Sequence, residues 1–476
     1  MRRLSRRQFL GASAAVIGGG VAAWQGLSAL ESSAADTFRF GIATVDLTPP
    51  LAWVREGRIY LAGYGARVSP ATGVKMPLSV RAFCIEAPSG QRMAWAVLDV
   101  AAVSASWTEL VRDGIARSRL GLSAGDIFVS AIHAHTAPVT TRWQTWDPVL
   151  QEPLPAYLEL ITRNTREAVQ QAITDLGPAR LDFARTTCDI GFNRHYDNDA
   201  YDKTLDVLQA TNPRGQVLGT IFTYGCHPVS EGASTEISPD FPGYARLAVE
   251  RETGGHSIFL QGCAGSVNPI RGLAADVIGG KLADEVVTAL STRMRVSPQM
   301  TVRRSSASLP LNRPIGAAAL TKYRTLEGPA FFSSKTNRQL AHLFAVEESA
   351  TRRWAQLVTD ERARGTLPNV LSAQLGSVRF GSEDNGLRIV NISHEVISEY
   401  GPKVRRLFQD RHVTVCGYTG ACACYLPTAQ YVAENNGSVD VPRLQYESGG
   451  GQKWYGLPAP FLAEVEESLL SSLSKL

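Results

Sequence analysis

Asp126-Ile127-Phe128-Val129-Ser130-Ala131-Ile132 runs directly into His133-Ala134-His135. Seven residues rich in β-branched, aromatic and small side chains read as a buried strand, and the abrupt turn to imidazoles marks its end. The arrangement recurs along the chain. Met93 to Val100 reads MAWAVLDV, and Val217 to Tyr224 reads VLGTIFTY with Gly225-Cys226-His227-Pro228 after it. Ser257 to Leu260 leads into a Gly-rich turn around Gly262 and Gly265, and Leu387 to Ile392 (LRIVNI) runs into Ser393-His394-Glu395. Val413 to Gly417 leads into a loop that reaches Tyr425. Nearly every chemically capable residue therefore falls just beyond a strand, where open α/β sheets build their sites. Helix-like stretches lie between, at Thr108 to Ser118, Leu158 to Thr174, Gly243 to Glu252 and Val396 to Phe408. The alternation predicts an α/β fold, a layered mixed sheet flanked by helices.

The 476 residues are 44% hydrophobic and 19% charged, enough to bury a large core. The net charge is +4, but Arg2, Arg3, Arg6 and Arg7 against Glu31 place +3 of it in residues 1–35. The remainder is close to neutral, which leaves no electrostatic case for a nucleic-acid partner. Ser5-Arg6-Arg7-Gln8-Phe9-Leu10, a Gly- and Ala-rich apolar stretch from Gly11 to Leu30, and small residues at Ser33, Ala34 and Ala35 read as a twin-arginine signal peptide over 1–35. An uncleaved anchor is the other reading of that stretch. The expectation is export in the folded state by the twin-arginine machinery to the periplasm or beyond, with no stable transmembrane span in the mature protein. Residues 36–476 are expected to form one catalytic domain. The region at about 303–369 stands apart as a possible helical insertion, a lid or a piece packed on the main sheet. Seven cysteines, an odd number lying mostly in apolar runs, read as small buried residues.

His133 and His135 stand two apart on an extended segment, so both imidazoles can address one point. Alone such a pair is weak, and a lone His227 weaker. Among eight histidines, however, three sit at strand ends beside small residues or proline, and His394 adjoins Glu395 in the same kind of place. Imidazoles gathered at one mouth suit a metal ion.

At these residues the chain resembles the neutral or alkaline non-lysosomal ceramidases. The likeness runs, with gaps, from about Phe40 to Tyr455. It covers GIATVDLTPP, LAGYGAR, SAIHAHTAP, Asn193-Arg194, Tyr201-Asp202-Lys203, His227-Pro228, Ser238-Pro239-Asp240, Gly262 to Pro269, Ser393-His394-Glu395, Cys424-Tyr425-Leu426-Pro427-Thr428 and Gln445-Tyr446-Glu447. The resemblance implies a ceramidase-like catalytic domain whose zinc is held by His133, His227, Glu395 and Tyr425. It further implies that His135 moves protons while Arg194 and Tyr446 bind charge on the tetrahedral intermediate. The implied reaction is hydrolysis of an N-acyl amide, N-acylsphingosine to sphingosine and fatty acid, by zinc-bound hydroxide attacking the carbonyl. The partner would be a lipid or small-molecule acyl amide. The residues taken alone also allow Arg194 to pair with Asp197 or Asp199, Tyr446 to be a packing aromatic, and Glu395 to pair with His394 at the surface.

Three departures from the family pattern stand out. Gly265-Ser266-Val267-Asn268-Pro269-Ile270 replaces Gly-Asp-Val-Ser-Pro-Asn, His394 replaces a glycine, and the chain stops about twenty residues past Gly456. No room is left for the carboxyl-terminal immunoglobulin-like domain of bacterial ceramidases. The rival expectations are a zinc hydrolase of another amide or ester, and a non-catalytic periplasmic binding protein with a degenerate site.

Overall fold

The structure, a computed structural model, describes residues 37–65, 67–325, 338–382 and 386–476. The leader read at residues 1–35 lies outside the described residues, as does the start of the polar helix-like stretch at Thr336.

The larger sheet contains β1 (Phe38–Asp46), β2 (Ser79–Glu86), β3 (Arg92–Leu98), β4 (Ile127–Ala131), β5 (Gly177–Thr187), β6 (Thr204–Thr211), β7 (Val217–Tyr224) and β8 (His256–Gln261). Their spatial order is β8-β7-β6-β5-β1-β2-β3-β4, with the short strand Met294–Arg295 beside β5. Pairing is antiparallel through the middle, as where Gly41 faces Cys84, and parallel at both ends, β3 with β4 and β7 with β8. The sheet is therefore mixed, with helices Ala105–Arg117, Pro155–Thr174, Phe241–Thr253 and Ala275–Ala289 packed against it. Strands β4 and β8 run in opposite senses along the sheet. The sheet curls until β8 lies against β3 and β4, and their carboxyl ends meet. Gln261 at the end of β8 ties them together: its Nε2 donates to the carbonyls of Ile132 (3.0 Å) and Cys226 (2.9 Å).

A second sheet comprises β9 (Met300–Pro310), β10 (Val370–Phe380), β11 (Leu387–Ile392) and β12 (His412–Cys416) in that order. It is buried on both faces along β11. Leu387 and Ile389 join the core of the larger sheet, together with Phe380 and Cys416. Val390 and Ile392 point the other way and pack with Val413, Val415, Leu469 and Leu473. Two buried faces explain why LRIVNI reads as an almost unbroken apolar run. On helix Val465–Leu473 the positions Val465, Leu469 and Leu473 are four apart and form the stripe that covers this second core.

Two expectations from sequence are corrected. The helix foreseen over Val396 to Phe408 is only Tyr400–Arg405. Ahead of it, Glu395–Val396 pairs in parallel with Tyr425–Leu426, and the Glu395 amide donates to Cys424 O (2.9 Å), so sheet pairing takes residues that local preference gives to a helix. The region at 303–369 is not one helical insertion, since residues 303–310 belong to β9. That strand alternates exposed polar with buried apolar side chains at a sheet edge, which masks it as a polar stretch. Helix Arg338–Arg364 does not lie on the main sheet. It packs on helix Ala317–Arg324 and on the turn Gly450–Tyr455, with Trp354 Nε1 donating to Leu457 O (2.7 Å). All seven cysteines are buried free thiols. Among the described residues no helix is long and apolar enough to cross a membrane.

Candidate active site

Three strand ends turn sharply into the site. His133, after β4, has φ 69°; His394, after β11, has φ 75°; Tyr418, after β12, has φ 54°. For residues with a side chain this left-handed region costs on the order of 1–3 kcal/mol each and persists only where the surroundings hold it. Backbone bonds hold it here: His133 N to Val100 O (3.0 Å), His394 N to Ala421 O (2.7 Å) and Tyr418 N to His394 O (3.1 Å). Gly63, at φ 94°, lets a neighbouring loop approach, because a Cβ there would lie 2.4 Å from the His135 ring.

These turns gather one cluster. Nδ1 of His133 donates to Ala101 O (2.7 Å) and Nδ1 of His227 donates to Ala264 O (2.6 Å). A carbonyl only accepts, so both ring protons sit on Nδ1 and both Nε2 atoms present lone pairs. Those lone pairs face the same acceptor: Glu395 Oε2 lies 3.2 Å from His133 Nε2 and 3.0 Å from His227 Nε2. His135 Nε2 lies 3.1 Å from His133 Nε2, and its buried Nδ1 has no hydrogen-bond partner. The two Nε2 lone pairs facing the Glu395 carboxylate at these distances call for a cation among them. The separations from Glu395, 3.2 and 3.0 Å, lie slightly under the roughly 3.3–3.4 Å edge of a tetrahedron with ligand bonds of about 2.0–2.1 Å. The carbonyls behind the rings orient the ligands as outer partners do in metal sites. The residues therefore fit a divalent cation. Candidate donor groups are His133, His135 and His227, and a second trio of His133, Glu395 and Cys422.

Burial, and then the Arg194 charge, push His227 down to about 4. Burial and the neighbouring imidazoles hold His135 well below its usual range. Burial keeps Cys422 a protonated thiol.

The other residues singled out from sequence lie around this cluster. Arg194 does not pair with Asp197, which bonds Arg271 instead (2.7 Å). Its Nε donates to Glu447 Oε1 (2.8 Å), Nη2 to Gly265 O (2.8 Å) and Nη1 to Asn268 Oδ1 (3.3 Å). Its guanidinium lies over the rings of Tyr425 (5.4 Å) and Tyr446 (5.3 Å). Tyr446 is 43% exposed and lines the cavity rather than a core. Glu395 is 1% exposed, so it is no surface ion pair. His394 is not a surface residue either. It is 2% exposed, and its positive φ turns the ring away from Glu395, with Nε2 on Ser372 O (3.0 Å) and Nδ1 accepting from Ala423 N (3.1 Å). Ser266 bonds Glu399 (3.3 Å), leaving Asn268 to touch Arg194.

Tyr425 lines the same cavity, but the hydroxyls that reach Glu395 are those of Tyr418 (3.3 Å) and Tyr455. Sequence reading missed both. Tyr418 lies two residues beyond β12, so the strand-end rule that found His133 would have flagged it. Two chambers open on the cluster. One, of 280 Å³, is walled by Trp143, Trp146, Trp454 and Tyr455, with Trp143 and Trp146 stacked at 4.5 Å. The other, of 400 Å³, is bordered by Arg194, Asn268, Gln445 and Glu447. Both are lined by Tyr64, His135, Tyr425 and Tyr446.

Fold and site together define an α/β protein with an imidazole–carboxylate cluster at the meeting point of an aromatic and a polar chamber. The chain belongs to the neutral/alkaline non-lysosomal ceramidase family, whose N-terminal model matches residues 38–292. Among solved structures it is similar to the neutral ceramidase of Pseudomonas aeruginosa, at 20% identity and a TM-score of 0.68, over 92% of this chain and 74% of that one. It is also similar to a ceramidase complexed with C2, at 18% identity and a TM-score of 0.69, over the same shares. The family and the shared fold support a ceramidase-like hydrolase.

Proposed function

We propose that the chain is a zinc-dependent hydrolase of an N-acyl amide bond, with N-acylsphingosine as the leading substrate. The observation that carries this reading is the convergence of the His133 and His227 Nε2 lone pairs on Glu395 Oε2 within 3.2 Å, beside two chambers. His133, His227, Glu395 and Tyr425 are assigned as the metal ligands. A zinc ion bound there supplies a Lewis acid and lowers the pKa of water from about 16 to about 7.

The chain's own residues supply the rest. His135 has a buried, unpartnered Nδ1 and lines both chambers, which suits it to taking a proton from water and returning it to the leaving amine. Arg194, with the Tyr446 ring beside it, is placed to bind charge developing on the carbonyl oxygen. Tyr418 and Tyr455 hold the Glu395 carboxylate. An amphipathic amide suits a site with one aromatic and one polar side, and a ceramidase complexed with C2 is among the similar structures. The test is a screen of N-acylsphingosines, other N-acyl amides and simple acyl esters, with and without chelator. Hydrolysis of an acyl amide that chelation abolishes is expected, and turnover indifferent to chelation would refute the zinc assignment.

Export by the twin-arginine route to the periplasm or beyond is part of the same proposal, resting on Arg6-Arg7 and the apolar stretch after them. Replacing both arginines by lysine is expected to retain the protein in the cytoplasm; unchanged export would contradict it.

A further inference from the structure

Arg194 is the last visible member of a longer chain of charges. Its Nε bonds Glu447 Oε1 (2.8 Å); Glu447 Oε2 faces His195 Nδ1 (2.9 Å); His195 Nε2 faces Glu434 Oε2 (2.7 Å). Both ring nitrogens of His195 thus meet carboxylate oxygens, which accept and cannot donate when ionised. Only an imidazolium satisfies both contacts. With that proton the row Arg194, Glu447, His195, Glu434 is neutral; without it, two carboxylates flank an uncharged ring whose lone pair confronts one of them.

The row is held on every side. Asn193 Oδ1 accepts from the His195 amide (3.0 Å), and the Tyr431 ring stacks on the imidazole at 3.9 Å. Tyr196 donates to Glu434 Oε1 (2.8 Å), and Tyr431 donates to Glu399 (2.8 Å). The charged and titratable groups facing His195 are therefore Arg194 and Tyr196 on its own segment, Tyr431 and Glu434 from the segment at 429–434, Glu447 from the segment at 445–447, and Glu399 behind Tyr431. Burial works against the charged ring, but the bonds to Glu447 and Glu434 raise His195 above its usual value. Glu447, penalised by burial, is held below the ordinary range by His195 and Arg194.

We propose that His195, as an imidazolium between Glu434 and Glu447, is a positioning residue that fixes Glu447 and through it the Arg194 guanidinium, so that catalysis falls as this imidazolium loses its proton. The proposal rests on the hydrolase reading above and adds to it an alkaline limit set outside the metal cluster.

Two variants test it, H195Q and E434Q, with kcat, KM and metal content measured across pH, and with ¹⁵N-histidine spectra of the full chain. In H195Q, kcat is expected to fall on the order of tenfold, as when outer partners of site residues are removed, with metal content retained and the alkaline limb of the wild-type profile absent. In E434Q the limb is expected to move to lower pH. The His195 signal, assigned by its loss in H195Q, is expected to titrate above the ordinary value of about 6.5 and to move down in E434Q. A wild-type alkaline limb surviving in H195Q, or a His195 signal titrating at or below the ordinary value, would overturn the proposal. Should H195Q fail to fold, the E434Q profile and spectrum decide it. Absence of hydrolysis by the unsubstituted protein would instead refute the functional reading, while the spectrum still reports the state of His195.

Discussion

Replacing Arg194 by alanine removes a guanidinium whose donors are only partly engaged. Of its five N–H groups, Nε uses one on Glu447, Nη1 one on Asn268 and Nη2 one on Gly265. The other two, one on each terminal nitrogen, lie beside the rings of Tyr425 and Tyr446 at the border of the polar chamber, where the Tyr425 hydroxyl takes up part of that capacity. An oxygen gaining negative charge there would draw on them more strongly in the transition state than in the ground state. Loss of one such donor typically lowers kcat by about 10²–10³, or roughly 2.7–4 kcal/mol. Arg194→Ala is expected to fall in that range on an acyl amide and on the matching ester, with KM changed far less and metal content intact. Arg194→Lys is expected to recover little, since an ammonium cannot span Glu447, Gly265 and Asn268 at once. Initial rates resolved into kcat and KM, alongside metal analysis, check this. A tenfold rise in KM at unchanged kcat would mean that Arg194 binds the ground state, and the assigned role would be refuted.

Other perturbations probe the scaffold and the chambers. Arg246 holds the fully buried Asp99 through two bonds, 2.5 and 2.7 Å, just where β3 leaves the sheet. Arg246→Ala leaves that carboxylate only the Ser79 amide and hydroxyl. It is expected to cost about 3–5 kcal/mol in urea unfolding, and a cost below about 1 kcal/mol would contradict the pairing. His195, raised in the fold, contributes stability that is complete below the unfolded value of about 6.5 and lost as pH rises through the folded one. The urea midpoints of wild type and H195Q should therefore converge on moving to alkaline pH; a gap that widens would reverse the sign. Trp146→Ala removes the indole stacked on Trp143 and is expected to raise KM about tenfold for a substrate with an apolar arm. An equal loss on a substrate lacking that arm would show that the aromatic chamber does not bind it.

What the sequence revealed was set by burial. Val217 to Tyr224 and Leu387 to Ile392 coincide with β7 and β11 because their apolar runs are nearly continuous, and these strands aim His227 and Glu395. Strands such as β5 and β9 carry Arg, Asp and Ser in alternation with apolar residues, so no unbroken run announces them. The histidine cluster was legible through position beyond strand ends, and family resemblance supplied Glu395, Arg194, Tyr425 and Tyr446. The direction of His394 was not legible, since a positive φ decides it. Nor were Tyr455 on Glu395 or Glu434 on His195, contacts between distant segments of the chain that leave no spacing pattern.

The metal itself is the most direct test. Elemental analysis of the purified chain, before and after chelation and in His133→Ala and His227→Ala, should find about one zinc per chain in the wild type. Zinc and acyl-amide hydrolysis should vanish together in both variants and after chelation, and return together when zinc is restored to the wild type. A wild-type chain free of bound metal yet fully active, or one that keeps stoichiometric zinc after both histidines are removed, would contradict a centre built on His133 and His227.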